Sequence, residues 1–234
     1  MAFVRRLTMQ ENTQSIFITG GTGYMGSRLV IALLQRGHKV RALTRPESAQ
    51  KLPAGAQPIV GDALSNGYVH QVSGCDTFIH LVGVSHPSPA KAAEFHSVDL
   101  VALRQAVNAA MAAKVQHFIY ISVAHPAPVM KAYIEVRTEC EAIIRQSSLS
   151  ATILRPWYVL GPGHRWPYVL LPHYWLMERI PRMREGALRL GLVTLPQILN
   201  ALVTAVEAPC HGTRIMDVQA IRRGNRAAEV AMRS

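Results

Sequence analysis

The residues with the clearest chemistry form a glycine loop. The segment from Thr19 to Gly26 reads TGGTGYMG, with glycines three residues apart at positions 20, 23 and 26. Gly20 permits a tight turn, Gly23 lets the backbone approach a pyrophosphate, and Gly26 lets the following helix pack closely on the preceding strand. Free N–H groups at the start of that helix would hold the anion. We therefore predict a dinucleotide site, with a glycine-rich turn that binds nothing as the alternative. The contacts predicted in this loop are Gly20, Thr22, Gly23, Tyr24, Met25 and Gly26.

The second predicted strand indicates which dinucleotide is bound. A site for NAD usually places an Asp or Glu about 20 residues beyond the glycine loop, where the carboxylate accepts from the ribose hydroxyls. Between Gly26 and Glu47 this chain has no acidic residue, and Arg45 stands where the 2′-phosphate of NADP would lie, with Arg41 earlier on the strand. A guanidinium is a planar and permanent cation that suits a phosphate. The pattern favours NADP(H) over NAD(H), and the alternative is that Arg45 is an ordinary surface residue.

Two later strand ends complete the predicted cofactor groove. Asp62 follows the third strand in the sequence VGDA, where its carboxylate is placed to reach the adenine edge. Gly83 follows the fourth strand, and a residue without a side chain lets a cofactor approach the sheet. The contacts predicted at these two positions are Asp62, Ala63, Leu81, Val82 and Gly83.

These loops need a parallel sheet to bring them together. Short apolar runs alternate with longer helical patterns, as is typical of βαβ units. The predicted strands are residues 15–19, 39–44, 58–60, 77–82, 117–122, 152–154 and 214–218, and the predicted helices are residues 24–36, 93–113, 133–146 and 194–207. The fold class is therefore α/β, a doubly wound parallel Rossmann-like sheet with a small C-terminal appendage on the substrate side.

We predict one domain over residues 1–234. Its parts are a dinucleotide-binding core at 15–155, a lid or substrate-side segment at 156–192, a return to the core at 193–218, and a basic tail at 219–234 that is poorly ordered from Arg222.

The composition excludes several classes of protein. The 234 residues are 49% hydrophobic and 17% charged, which excludes a disordered chain. The net charge of +11 suits a ligand with several phosphates, and no ladder of aromatic and basic residues predicts a nucleic-acid partner. Three cysteines without metal spacing predict neither a disulfide framework nor a zinc site, and the ten dispersed histidines predict no metal. We expect a reducing, cytoplasmic location.

No segment has the ~20 apolar residues that a membrane helix needs, and the first residues do not resemble a signal peptide. The nearest candidate, residues 166–177, is interrupted by Pro167 and Pro172. Because its aromatic residues lie near arginines at 165, 179 and 182, weak peripheral contact with an anionic membrane is an alternative.

Several motifs together resemble a known family. The TGGTGYMG loop, VRALTR, VGDA, HLVG, FIYIS, the helix containing Tyr133, and ILRPWYVLGPG follow one another in the order found in extended and atypical short-chain dehydrogenase/reductases. The similarity is greatest to the NmrA-like NAD(P)H-binding branch. It covers residues 16–163 well and residues 193–218 loosely. The resemblance implies a Rossmann-like fold, an NAD(P)H cofactor and hydride transfer.

The resemblance also implies three catalytic positions. The family has a Tyr, a Lys four residues later, and a Ser or Thr at the end of the fifth strand, which match Tyr133, Arg137 and Ser122 here. Tyr133 would act as general acid, and Ser122 would orient a substrate oxygen or bond only to the backbone. Arg137 departs from the pattern, because an arginine does not give up its proton and a relay through lysine fails. Its spacing from Tyr133 still places a cation on the same helix face, where it could lower the pKa of the tyrosine and bond to a ribose.

After the sixth strand, Pro156 resembles the family segment beside the nicotinamide. The surrounding aromatic residues suit an apolar or planar substrate, or else close the fold as a satellite hydrophobic cluster. They are Trp157, Tyr158, Trp166, Tyr168, Tyr174 and Trp175. We predict an NADP(H)-dependent, epimerase-like oxidoreductase that transfers hydride to a small carbonyl compound. The alternative is a non-catalytic NmrA-like redox sensor or scaffold, in which Tyr133 lines an inert groove.

Overall fold

A computed structural model of the chain describes residues 13–162, 179–180, 185–186 and 188–231, with side chains as far as residue 224. Seven parallel strands form one sheet in the order β3-β2-β1-β4-β5-β6-β9, and a separate parallel pair joins β7 to β8. The strands are β1 Ser15–Thr19, β2 Lys39–Thr44, β3 Gln57–Val60, β4 Thr77–His80, β5 His117–Ile121, β6 Ala151–Leu154, β7 Tyr158–Leu160, β8 Leu192–Thr194 and β9 Thr213–Met216. The strand order reverses between β1 and β4, which is where open parallel sheets bind ligands.

Helices cover both faces of this sheet. They are α1 Tyr24–Gln35, α2 Val69–Val72, α3 Ala92–Glu94, α4 Val101–Ala112, α5 Lys131–Gln146, α6 Leu195–Glu207 and α7 Val218–Ala231. Two short 3₁₀ helices, Pro46–Lys51 and Pro89–Lys91, precede β3 and α3, and a π-helical segment, Phe95–Leu100, joins α3 to α4. The predicted doubly wound α/β fold is therefore confirmed.

The two sheet faces differ in their packing residues. On one face Phe17, Phe78 and Phe118 lie side by side on adjacent strands, with ring centroids 5.2 and 5.3 Å apart. On the other face isoleucines and valines pack with α1 and α6. Strands buried on both faces read as continuous apolar runs, which is why these short segments could be recognised in the sequence.

The structure changes two sequence predictions. The predicted helix at 93–113 is interrupted by the π-helical segment, and the ends of the predicted lid at 156–192 pair as β7 and β8. Most of that lid, including the aromatic residues at 166, 168, 174 and 175, lies outside the described residues.

Most of the predicted basic tail at 219–234, which the sequence suggests is poorly ordered, is helical in the structure. Residues 218–231 form α7, which packs on α6 with Val218 and Ile221 fully buried. The Asp217 carboxylate accepts from the Ala220 N–H at 2.7 Å in the first turn, and the Arg222 Nε donates to the Leu192 carbonyl at 2.9 Å. The sequence shows basic residues there, whereas the apolar pair that docks the helix is recognisable only once α6 is in place.

Among the described residues, no helix is both long and apolar enough to cross a membrane. Within the same residues, no three His, Cys, Asp or Glu side chains gather as a metal ion would require.

Candidate functional site

The glycine loop lies at the carboxyl end of β1, next to the end of β4. Gly20 has a φ of +81°, and a Cβ there would lie 2.9 Å from the Leu81 carbonyl carbon. A Cβ at Gly26 would lie 2.1 Å from the Gly20 oxygen. Both positions therefore exclude side chains. Gly23 is the N-cap of α1 and has no side chain, so no capping side chain competes with an anion for the first N–H groups of the helix.

Two cavities border this loop. The smaller, about 120 Å³, lies against the start of α1 and reaches Ile121 and Arg137. The larger, about 450 Å³, runs from the loop past the ends of β2, β3 and β4. Every predicted cofactor-binding residue except Pro156 lines one of them. Pro156 instead accepts a hydrogen bond from the Ala124 N–H through its carbonyl, at 2.9 Å.

Polar side chains at and just after the end of β2 line the larger cavity. Arg45 lines it with a side chain that is 71% exposed, and its Nε lies 3.3 Å from the Glu47 carboxylate. Thr44 and Ser48 line the same cavity. Arg41 does not contribute, because its guanidinium donates to the Gln71 and Ser73 carbonyls at 2.6 and 2.8 Å.

Asp62, after β3, also lines the larger cavity. One of its carboxylate oxygens accepts from the Leu64 N–H at 3.0 Å, which shapes the turn after β3. The Gly61 N–H donates to the Thr44 carbonyl at 3.0 Å and ties this turn to β2. The turn that carries Asp62 is thus joined to the end of β2 through the backbone.

Arg137 is buried in a network that sequence reasoning only partly anticipates. Its Nη2 lies 3.0 Å from Asp99, and its Nη1 donates to the Tyr120 hydroxyl at 2.9 Å and to the Ile121 carbonyl at 3.0 Å. Asp99 was not among the predicted site residues, although an acid in an otherwise apolar helical stripe is a usable signal. Burial raises the pKa of Asp99 above its ordinary value, while the Arg137 charge and the Val84 N–H oppose that shift.

The Arg137 guanidinium also explains Gly83. A Cβ at position 83 would lie 2.5 Å from Arg137 Nη2. The sequence predicts that this glycine makes room for a cofactor, and the structure shows that it also makes room for the arginine.

Tyr133 lies beside Arg137, as the spacing predicts. The guanidinium carbon is 5.0 Å from the Tyr133 ring centroid, and the Phe95 ring meets the Tyr133 ring edge-on with the centroids 5.0 Å apart. Tyr133 lines a separate cavity of about 220 Å³ with Phe95, Pro89 and Met130. Arg137 therefore contacts both the glycine-loop cavity and the tyrosine.

Ser122 belongs to a different group of side chains. It is buried beside Glu141, a carboxylate with no exposed surface that also meets Arg155, Arg145 and His125. The Arg155 Nε donates to Glu141 at 2.8 Å. Burial acts to raise the pKa of Glu141, but the hydrogen bonds and the charge of Arg155 bring it below its usual value. The structure thus brings two of the three predicted catalytic residues together and places the third in an ion-pair cluster.

Part of the predicted substrate side is described. The Trp157 and Tyr158 rings meet edge-on at 5.4 Å, and Trp157 packs against the core. The remaining predicted aromatic residues lie outside the described residues, as noted above. The glycine cradle, the uncapped start of α1 and the polar end of β2 together fit a dinucleotide.

Comparison with known proteins agrees with this fit. A family model described as NAD(P)H-binding matches residues 20–169. A ketoreductase from Stigmatella aurantiaca, which acts on a 4-hydroxy-2-methyl-3-oxo-4-farnesyl-3,4-dihydroquinoline-1-oxide by its name, is 31% identical over 172 residues. That match covers 62% of this chain and 50% of the relative. A 2-alkyl-3-oxoalkanoate reductase from Stenotrophomonas maltophilia is 27% identical over 198 residues, 75% of this chain and 57% of the relative.

The chain spans about half the length of the curated relatives it matches. Among solved structures, the Bordetella bronchiseptica enzyme WbmH in complex with NAD⁺ superimposes with a TM-score of 0.65. The identity is 21%, and the match covers 88% of this chain and 75% of that chain. This likeness shows a shared fold.

Proposed function

The chain belongs to the NAD(P)H-binding family, within the atypical short-chain dehydrogenase/reductases, and from that membership we propose that it is an NADP(H)-dependent oxidoreductase. Its substrate in this proposal is a small, apolar carbonyl compound. The observation that carries the proposal is the position of Arg137, which lines the glycine-loop cavity and covers the ring of Tyr133.

The cofactor would be held by groups already in place. The glycine loop and the first N–H groups of α1 would bind the pyrophosphate, and Arg45 would bind a 2′-phosphate. Asp62 would face the adenine end of the larger cavity. When bound, NADPH supplies the hydride.

Tyr133 would donate the proton to the carbonyl oxygen. The Arg137 guanidinium carbon lies 5.0 Å from the centroid of its ring and fixes a positive charge beside it. The cavity that Tyr133 lines is walled by Phe95, Pro89 and Met130, which suits the apolar part of a substrate. The names of the two relatives, a ketoreductase and an oxoalkanoate reductase, support a carbonyl substrate.

Arg137 would act as a fixed charge and not as a proton relay. Both of its terminal nitrogens are committed to Asp99, Tyr120 and the Ile121 carbonyl. An arginine also stays protonated throughout a reaction. The proton on Tyr133 would therefore have to be replaced from solvent or from the substrate side.

A second candidate is a redox sensor or scaffold that binds NADP(H) without turnover. Two observations favour it. Asp99 offsets the charge that would activate Tyr133, and Ser122 lies in the Glu141 cluster instead of facing Tyr133's cavity.

Turnover separates the two candidates. A panel of ketones, enones and quinones should include compounds that oxidise NADPH in the presence of the protein. Tyr133→Phe should then lower kcat by roughly 10² to 10⁴ with little change in the NADPH dissociation constant. Tyr68→Phe, which removes a buried hydroxyl from the Phe17 stack, is the matched control and should retain activity. If NADPH binds tightly and no compound in the panel is reduced, the proposal of an oxidoreductase fails and the redox sensor or scaffold takes its place.

A further inference from the structure

The cavity beside Tyr133 has a positive charge in its wall as well as apolar side chains. We infer that the substrate is an amphiphilic carbonyl compound, whose apolar chain lies in this cavity and whose carboxylate binds Lys131. Lys131 is then a specificity-determining residue. This inference rests on the proposed reduction of a carbonyl compound and narrows the class of substrate.

Three segments of the chain line this cavity of about 220 Å³. Pro89 begins the second 3₁₀ helix, and Phe95 begins the π-helical segment and has no exposed surface. The remaining lining residues are Met130, Lys131, Ala132 and Tyr133. Because the last three are the first residues of α5, the cavity lies across the start of that helix. Its mostly apolar lining suits a hydrocarbon chain.

Lys131 supplies the positive charge at this cavity. Its side chain is exposed, and within the described part of the chain no carboxylate forms an ion pair with it. Farther along the same helix Arg145 pairs with Glu141, one turn away. Lys131 makes no such pair with Glu135, although the spacing is the same. The ammonium group is therefore available to an anion in the cavity.

The stability of α5 does not explain a lysine at this position. Lys131 is the first residue of the helix, and the first turn has no acidic residue. The positive end of the helix dipole lies there, so a cation is unfavourable and an anion is favourable. A sequence that departs from such a local rule at the wall of a cavity is typical of a functional position. A ligand carboxylate beside Lys131 would balance both charges.

The composition of the cavity favours a carboxylate over a phosphate. Among the six described residues that line it, Lys131 and Tyr133 have the polar side-chain groups. A phosphate ester carries a charge of about −1.5 to −2 and has three acceptor oxygens, which one ammonium group cannot satisfy. A carboxylate carries a single charge, which one ammonium group balances. The Tyr133 hydroxyl is then left to the carbonyl oxygen.

Octanoate and octanamide test this inference, because they share one apolar chain and differ in charge. Calorimetry on the full chain measures the affinity of both. Wild type should bind octanoate at least about threefold more tightly at low ionic strength, as expected of a partly exposed charge pair. Salt at about 1 M should remove most of that preference. Lys131→Met keeps an apolar side chain without the charge and should bind the two compounds equally.

Three matched variants complete the experiment. Lys131→Arg keeps the cation and should keep the preference. Lys39→Met removes an exposed lysine at the first residue of β2, at the opposite edge of the sheet from the glycine loop, and should keep it as well. Ala132→Leu adds bulk to the cavity wall with little change in helix propensity, so it should weaken both compounds by a similar factor.

An unchanged preference in Lys131→Met overturns the inference. Failure of wild type to bind either compound, or full binding of both by Ala132→Leu, overturns it too, because the chain would then not lie in this cavity. These outcomes are distinct from failure of the proposed function. Oxidation of NADPH by uncharged ketones would leave the oxidoreductase standing without a role for Lys131, whereas binding of octanoate without turnover of any carbonyl compound would remove the oxidoreductase and, with it, the substrate that we infer.

Discussion

The two halves of the site differ in whether their polar groups already have partners within the protein. In the half formed by β1, β2 and the glycine loop, the start of α1 is uncapped and the Thr44 hydroxyl is unpaired among the described residues. In the half formed by β5, β6 and α5, Arg137 and Glu141 are buried against partners of opposite charge. The first half has groups ready for a ligand, whereas the second half has satisfied its charges internally. Cofactor binding and catalytic chemistry should therefore respond differently to mutation and to pH.

The largest expected effect is a loss of stability in the half formed by β5, β6 and α5, which we call the paired half because its charges are paired internally. Glu141→Gln removes a buried charge and leaves Arg155 without its counter-ion, which should cost about 3–5 kcal/mol of unfolding free energy. That corresponds to a fall in Tm of about 10 °C for a chain of this size. Glu139→Gln, two residues away on the same helix, breaks only an exposed pair with Arg104 and should cost less than about 1 kcal/mol. Similar effects for the two variants, measured by thermal unfolding, would remove the distinction between the halves.

The second effect concerns the half formed by β1, β2 and the glycine loop, which we call the open half because its polar groups are ready for a ligand. Gly23→Val should block the approach to the pyrophosphate. The fold should stay intact, because the φ of −74° at Gly23 suits any residue and a Cβ there, 3.2 Å from the Gly20 oxygen, needs that oxygen to move by only a few tenths of an ångström. At an NADPH concentration of about 100 times the dissociation constant, wild type should gain about 2.7 kcal/mol of stability and the variant none. Gly67→Val, at a glycine whose nearest neighbour is 3.6 Å away and outside the cavities, is the control and should gain as much as wild type. A normal thermal shift in Gly23→Val would show that the loop does not hold phosphate.

The third effect is a loss of stability at mildly acid pH that His80 causes. Burial, with a smaller contribution from the Arg137 charge, lowers the pKa of His80 to about 3. His80 lies beneath the glycine loop, where its Nδ1 is 2.8 Å from the Thr19 hydroxyl. The unfolded chain takes up this proton near pH 6.5 and the folded chain does not. Stability should therefore fall as the pH drops below 6.5, by about 1.4 kcal/mol per pH unit for this residue.

His80→Gln tests this pH dependence of stability, because Gln can keep a hydrogen bond to Thr19 without taking up a proton. Denaturant unfolding between pH 6 and 5 should show a shallower loss of stability in the variant by about 1.4 kcal/mol per unit. Other buried histidines contribute equally to both proteins. The stabilising contribution of Glu141, whose folded pKa is lowered, is present above its ordinary value of 4.5 and disappears only as the pH falls further. Equal slopes for the two proteins would contradict a buried neutral His80.

The smallest effect joins the two halves. Gly83→Ala places a methyl group against the Arg137 guanidinium and should cost about 1–2 kcal/mol. In a background with Asp99→Leu and Arg137→Met, which replaces the ion pair by apolar side chains, the same substitution should cost less than about 0.5 kcal/mol. If the cost is the same in both backgrounds, the requirement for glycine at position 83 comes from the backbone and not from contact with the Arg137 guanidinium.

The sequence predicts the open half better than the paired half. The glycine loop, Arg45 and the buried strands depend on spacing and composition within short segments, so local patterns are sufficient. The pairing of Asp99 with Arg137 joins residues 38 positions apart in the chain, and the Glu141 cluster draws on β6 as well as α5. Helix α7 likewise depends on its packing against α6. These features follow from tertiary contacts that no local period reveals.

The most direct test of the account is a calorimetric titration of the wild-type chain with NADPH and with NADH. The open half should prefer NADPH by roughly tenfold to a hundredfold, the value of a charge-assisted contact to one phosphate. Arg45→Asp should abolish that preference, because it replaces the cation with a carboxylate of the kind that accepts from ribose hydroxyls. Equal affinities of wild type for the two cofactors would contradict the assignment of the β2 end as a phosphate site.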